Sequence, residues 1–170
     1  MREERFWRTL GSEQGLRRMR TYLVVMDETR EATCALHYAA RRAARTGGAV
    51  EILAVIEPQE FVQWSGVQAA MEEEARLRAE ARIAAASGEI MEDAGIRPSI
   101  TVRQGTPVRA VTDFLKERED VSALVLAAAA DGAPGPLVTH FAGAGVAALP
   151  CPLIIVPGRL DADALDRLTG

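Results

Sequence analysis

Lysine is almost absent from this chain: Lys116 is the only one, and arginine supplies every other basic side chain. That excludes a Walker A loop, which needs a lysine after its last glycine. It also argues against Schiff-base chemistry, because Lys116 stands among Glu117, Arg118 and Glu119 on what reads as a solvated helix end. Histidine is scarce too. His37 and His140 lie far apart with no carboxylate cluster between them, a poor basis for a metal site. The two cysteines, Cys34 and Cys151, lack C-x-x-C spacing and read as free, buried thiols. No serine or cysteine has a histidine plausibly in reach, so nucleophilic catalysis has no candidate.

Long apolar runs are missing as well; none approaches the roughly 20 residues of a membrane span. The first twenty residues carry Glu3, Glu4 and Glu13 among arginines. They have neither the apolar core of a secretory signal nor the acid-poor character of a transit peptide, so the cytoplasm is the expected compartment. The formal charge of −4 is spread over helices of mixed sign. It offers no basic face, so neither nucleic acid nor membrane is expected as a partner.

What is present is a regular alternation. A chain of 170 residues suits one domain, burying about 70% of its unfolded surface. Residues 1–18 stand apart as an arm with one small apolar group (Phe6, Trp7, Leu10) broken by Gly11 and Gly15. The compact domain is expected over 19–158, and 159–170 reads as an acidic tail with Asp161 capping a last helical turn that carries Leu165 and Leu168. Tyr22–Met26 is a short continuous apolar run, as in a strand buried on both faces. Thr29 is placed to cap a helix whose apolar face is Ala32, Ala35, Leu36, Ala39 and Ala43, stopped by Gly47-Gly48. A second strand covers Val50–Ile56, with Glu51 its only polar residue.

Pro58 ends that strand, and the stretch with Phe61, Trp64 and Gly66 has no clear period; its aromatics suit a core or partner contact. A long helix is expected over Gln68–Ala94, then a less buried strand over Ser99–Gln104. Thr106 and Pro107 open the next helix as cap and first residue. Val121–Leu126 is a fourth strand, Ala127–Pro136 a loop, Leu137–Ala148 a helix and Leu153–Val156 a fifth strand. Five strands separated by helices imply parallel crossovers with helices on both faces of the sheet.

Ligands of such sheets bind outside the carboxyl ends of the strands. The residues there are Asp27, Val55 to Glu57, Gln104-Gly105 and the loop from Ala127. Asp27 has two readings of equal weight, a ligand contact or a loop hydrogen bond that starts the first helix. Gly105 suits a tight turn. His37, beside Arg41 on the polar helix face, reads as exposed, and His140 reads as a structural or solvent-facing side chain or as a donor to an anion.

Taken in order, "LVVMDETREATCALHYAARRAARTGGAVEILAVIEP", "VRQGTPVRAV", "VSALVLAAAA" and "ALPCPLIIVP" resemble the universal stress protein family over residues 19 to about 158. The resemblance implies a five-stranded parallel sheet in the order 3-2-1-4-5, a homodimer, and in many members AMP or ATP bound without useful turnover. It places Asp27 at the acidic position after the first strand and Val55 where the main chain meets adenine. The family's phosphate loop reads G-x-x-G-x9-G-[S/T]; here Ala127, Ala130, Thr139 and His140 stand at the matching places, in a loop one residue shorter. The implied nucleotide set is therefore Asp27, Val55, Leu126, Ala127, Ala130, Gly132, Gly135, Thr139 and His140.

Glycines let such a loop reach φ > 0 and bring N–H groups against phosphate. An alanine forced there costs about 1–2 kcal/mol, so two or three losses weaken phosphate binding by a few orders of magnitude. Gly132 and Gly135 suit a different nest, but Pro134 and Pro136 have no N–H, and Asp131 repels phosphate. The implied dimer pairs the last strand, Leu153, Ile154, Ile155 and Val156, with its copy, covering an apolar edge. The expectation is a dimeric stress protein that works without catalysis, with weak or no ATP binding, through a ligand or protein partner. The alternative is an AMP or ATP sensor that uses Asp27, Val55 and a remodelled 127–140 loop.

Overall fold

In a computed structural model the described residues are 19–27, 29–57 and 65–170, with side chains from residue 69 onward in the last stretch. The features expected of residues 1–18, Pro58, Phe61 and Trp64 lie outside them. Strands β1 (Thr21–Met26), β2 (Ala49–Ile56), β3 (Ser99–Gln104), β4 (Val121–Ala128) and β5 (Leu153–Pro157) form one sheet in the order β3-β2-β1-β4-β5. Every neighbouring pair is parallel. Helices α1 (Arg30–Thr46), α2 (Ser65–Ala94), α3 (Pro107–Glu117), α4 (Pro136–Ala142) and α5 (Ala162–Thr169) connect and follow the strands, with a short 3-10 turn at Val146–Ala148.

Successive side chains of a strand point to opposite faces, and β1 feeds two cores. Tyr22, Val24 and Met26 pack with the inner faces of α1, α2 and α5; Leu23 and Val25 pack with α3 and α4. Central pairing sets Val24 beside Ile52 on one side and Val125 on the other. Fully buried Leu23, Leu53 and Leu124 each contribute about 1.5–3 kcal/mol of hydrophobic stabilisation.

Helix α1 begins where Thr29 accepts from the Ala32 N–H at 3.4 Å and ends at Gly47, which takes a left-handed φ of 64°. Gly48 is needed for closeness instead: a Cβ there would lie 2.5 Å from the Arg20 carbonyl oxygen. The face that α1 turns to the sheet is mostly alanine, which lets the helix axis approach closely.

Four sequence expectations are corrected. Strand β4 runs on to Ala128, because Ala127 and Ala128 pair with Val156 and Pro157; alanine carries no stop signal, so only the pairing marks the end. The helix expected over Leu137–Ala148 is α4, ended at Gly143, and then the 3-10 turn. Thr106 stands at the cap of α3 but its hydroxyl makes no capping bond, leaving the start to Pro107. Helix α2 begins three residues earlier than expected, at Ser65.

Its 30 residues extend about 45 Å, well beyond the roughly 26 Å of an eight-residue strand. Only Ile83, Ala86 and Ile90 of its described side chains are buried apolar groups. Edge strand β3 is the less buried strand expected, with Ile100 48% and Val102 39% exposed.

The opposite, amino ends of the strands hold a polar knot. Glu51, 2% exposed in β2, accepts from Thr101 Oγ1 at 2.8 Å and from Arg118 at 3.4 Å. Arg118 also grips Asp120 at 2.7 and 2.8 Å, and Thr21 donates to the same carboxylate at 3.0 Å. The Arg118 bonds, ahead of the Thr21 hydroxyl, hold the Asp120 carboxyl well below the usual carboxylate range.

Candidate functional site

Helix α1 lies on one face of the sheet and α3 on the other, so the winding reverses between β1 and β4, and a crevice opens beyond their carboxyl ends. Asp27, Val55, Leu126, Ala127 and Gly135 line it together, from the ends of three strands and the start of α4. Its volume is about 120 Å³, below the roughly 300 Å³ at which small-molecule pockets begin. Pro134 and Pro136 form part of the wall. Asp27 spends one carboxylate oxygen locally: Oδ1 accepts from the Thr29 N–H at 2.9 Å and the Thr29 hydroxyl at 2.5 Å. The helix-starting bond read from the sequence is therefore made, and Asp27 remains exposed at the crevice mouth.

The loop after β4 closes on itself, with the Ala129 N–H donating to the Pro134 carbonyl at 3.3 Å. Gly132 and Gly135 take φ of 77° and 99°, and no described residue other than glycine has positive φ. The conformational penalty expected of alanine is therefore not incurred: Ala127 is in β4, and the glycines at 132 and 135 carry the left-handed turns instead. Thr139 lies in α4 and turns its hydroxyl back to the Gly135 carbonyl at 2.8 Å.

His140 is not in the crevice. It lines a separate cleft of about 650 Å³ with Leu115, Lys116 and Leu149, near the amino ends of the strands. Its ring stands edge-on to Phe141, the centroids 4.9 Å apart. Gly145 fits against that ring because a Cβ would come within 2.7 Å of it.

Ala130 sits on the far side of the loop, facing a side chain that sequence reasoning passed over. Glu31, in the first turn of α1, accepts from the Ala130 N–H at 3.2 Å. Backbone N–H groups, first its own and then that of Ala130, hold the Glu31 carboxyl below its ordinary value. Gly158 makes room for it: a Cβ there would lie 2.2 Å from Glu31 Cγ and 2.6 Å from the Ala128 carbonyl oxygen. Arg159 ties the loop down beside it, donating Nε–H to the Ala130 carbonyl at 2.5 Å and pairing with Asp131. An acidic residue in a first helical turn is common, and nothing in the sequence distinguishes this one from a helix-dipole partner.

Glu31 and Ala130 also border a groove of about 680 Å³ along α1, which Cys34, His37, Arg41 and Asp93 line further on. The sequence reading placed His37 on an exposed face. It is half-buried instead, with Nδ1 3.0 Å from Asp93 and Nε2 3.5 Å from Glu89, because α2 packs beside it. Arg41 bonds both oxygens of Asp93 at 2.9 and 3.0 Å and reaches Asp166 of α5 at 3.0 Å. The Arg41 bonds, then that of His37, pull the Asp93 carboxyl down to about 2 despite some burial.

Cys34 and His37 thus share a helix face, although the sequence reading gave no cysteine a histidine in reach. They do not form a nucleophile and base. The Cys34 thiol donates to the carbonyls of Pro157 and Leu160 at 3.8 and 3.7 Å, and burial pushes it up. Among the described residues no group of three or more His, Cys, Asp or Glu is arranged to hold a metal ion, and no helix is long and apolar enough to cross a membrane.

Comparison with known proteins places this arrangement. The family model described as "universal stress protein family" matches residues 19–157. Among curated protein sequences none matches the chain. The universal stress protein UspA from Lactobacillus plantarum superposes with a TM-score of 0.70 at 17% identity, covering 81% of this chain and 97% of that one. A universal stress protein from Archaeoglobus fulgidus gives 0.59 at 19% identity, covering 80% and 92%. Another structure from Archaeoglobus fulgidus, a universal stress protein in complex with dAMP, gives 0.53 at 17% identity, covering 81% and 96%. With a family match that spans all five strands, the chain belongs to the universal stress protein family.

Proposed function

We propose that this protein acts without catalysis, as a homodimer that engages a protein partner, and that it does not hold ATP in the manner of the glycine-loop members. The observation that carries the reading is the crevice. At about 120 Å³, with Pro134 and Pro136 in its wall, it offers neither the room nor the row of N–H donors that a triphosphate requires. Small molecules released from freshly purified, denatured protein and identified by mass spectrometry test this directly. An empty protein whose melting temperature is unmoved by millimolar ATP or AMP supports it. A co-purifying adenine nucleotide, or stabilisation near ~2.7 kcal/mol at a hundredfold excess over Kd, refutes it.

The second reading is an AMP or ATP sensor. Its support is that Asp27, Val55, Leu126, Ala127 and Gly135 do converge on one crevice, and that a protein of the same family carries dAMP. Asp27→Ala separates the two, since only a sensor loses nucleotide affinity while keeping its fold.

The dimer is proposed through β5, an edge strand of the sheet. Ile155 is 39% exposed there, and Leu153 and Ile154 are half-buried. Val156, only 2% exposed, already belongs to the core of its own chain. Pairing with a second copy satisfies the open backbone edge and covers Ile155. Ile155→Lys is expected to elute from a sizing column as a folded monomer; an unaltered dimer counts against this interface.

A further inference from the structure

We infer that Glu31 is a built-in anion, seated on the loop after β4, that keeps phosphate monoesters off the Ala130 N–H in the groove along α1. The inference rests on the reading that the chain does not hold ATP in the manner of the glycine-loop members. A carboxylate oxygen and a phosphate oxygen are equivalent partners for a backbone N–H, so one excludes the other from the same donor. The Ala130 N–H, on the loop at the switch point, is given to Glu31 at 3.2 Å.

The surroundings are shaped to that contact. Gly158 leaves open the space that Glu31 Cγ fills, and even a methyl group there would collide with it. Arg159 holds the other side of the same peptide through the Ala130 carbonyl and neutralises Asp131, the loop carboxylate that would otherwise repel an incoming anion. Both main-chain polar groups of Ala130 are therefore satisfied from within the chain, by α1 on one side and by the segment after β5 on the other.

Glu31 and Ala130 line the groove of about 680 Å³, whereas Ala32 and Ala127 line the crevice of about 120 Å³. Withdrawing the Glu31 side chain frees the N–H towards the groove, whose size falls within the range of about 300–1,000 Å³ that holds small ligands. Arg30 lines the same groove, and Arg159 holds the loop from the turn after β5.

The test uses the full chain with orthophosphate and AMP as probes, in wild type, Glu31→Gln and Glu31→Ala, read by calorimetry and by the amide resonance of Ala130. Glu31→Ala is expected to bind a phosphate probe at least tenfold more tightly than wild type, with the Ala130 amide shifting on addition. Glu31→Gln, which keeps a neutral acceptor, falls between. A gain for both probes identifies a seat for phosphate alone, and a gain for AMP only shows that the nucleoside contributes. Equal affinity in all three folded proteins, or binding that leaves the Ala130 amide unmoved, overturns the inference. If Glu31→Ala does not fold, Glu31→Gln against wild type decides by the same measure. Tight ATP binding by wild type with a further gain in the variants refutes only the reading on ATP; equally tight binding in all three refutes both.

Discussion

Gly158→Ala is a substitution of one methyl group with a calculable cost. The new Cβ would lie 2.2 Å from Glu31 Cγ and 2.6 Å from the Ala128 carbonyl oxygen, against an ordinary contact of about 3.5–4 Å. The two collisions differ in kind. Glu31 is a flexible side chain and can swing away, at the loss of its bond to the Ala130 N–H. The Ala128 oxygen cannot: it belongs to β4, is paired into the sheet beside β5, and accepts from the Gly158 N–H at 2.9 Å. Moving β5 or the turn after it is the remaining route, and overpacking of that kind costs about 1–3 kcal/mol. For a chain of this size each kcal/mol lowers Tm by about 2–4 °C, so the variant should melt roughly 2–12 °C lower. Thermal unfolding by circular dichroism measures this. Adding Glu31→Ala removes the first collision and not the second, so the double variant should regain only part of the loss. A Gly158→Ala protein that melts with wild type, or a double variant fully restored, refutes the assignment of strain to the fixed Ala128 oxygen.

Other consequences are equally open to measurement. Leu124→Ala, which empties a wholly buried position in the central sheet, should cost about 2–5 kcal/mol in urea unfolding. Asp93 and Asp120 both have folded values depressed below their unfolded ones. Their stabilisation is therefore complete above the unfolded carboxyl value near 4 and is lost as pH falls through the folded values. The urea midpoint should accordingly decline from about pH 5 towards pH 2, and Asp93→Asn should make that decline shallower, since one of the two contributors is gone. An identical slope in the variant would place the acid sensitivity elsewhere.

Much of this architecture is readable from local pattern. The both-faces-buried run at β1, the cap at Thr29, the stop at Gly47 and the cap at Asp161, whose Oδ1 accepts from the Ala164 N–H at 2.7 Å, all depend on neighbours in sequence. The crevice residues Asp27, Val55 and Ala127 were reachable because strand ends converge in any sheet of this topology, whereas Leu126 and Gly135 came with the family resemblance. What escaped depends on partners far along the chain. Glu31 meets Ala130 across 99 residues and Arg41 meets Asp166 across 125, and no periodicity encodes such pairs. His37 has polar neighbours in sequence, and only the packing of α2 makes it half-buried. Leu168 misled in the opposite way: its spacing from Leu165 suggests one apolar side, yet Leu165 is buried and Leu168 exposed, because α5 turns Thr169 inward instead. The end of β4 escaped because alanine is neutral about where a strand stops, and the pairing with β5 decides it.

The alanine face of α1 fixes more than a helix. Ala32 belongs to the core and is also a wall of the crevice, and Ala35, Ala39, Ala40 and Ala43 continue that face with no exposed surface. Because these side chains are already the smallest that keep a Cβ, trimming them cannot enlarge the crevice, and enlarging them pushes α1 off the sheet and carries Glu31 away from Ala130. The size of the crevice is consequently adjustable only from its rim, through the loop from Ala129 to Gly135. The carboxyl end of the sheet can change its chemistry while the distance between its two sides stays set by the core beneath.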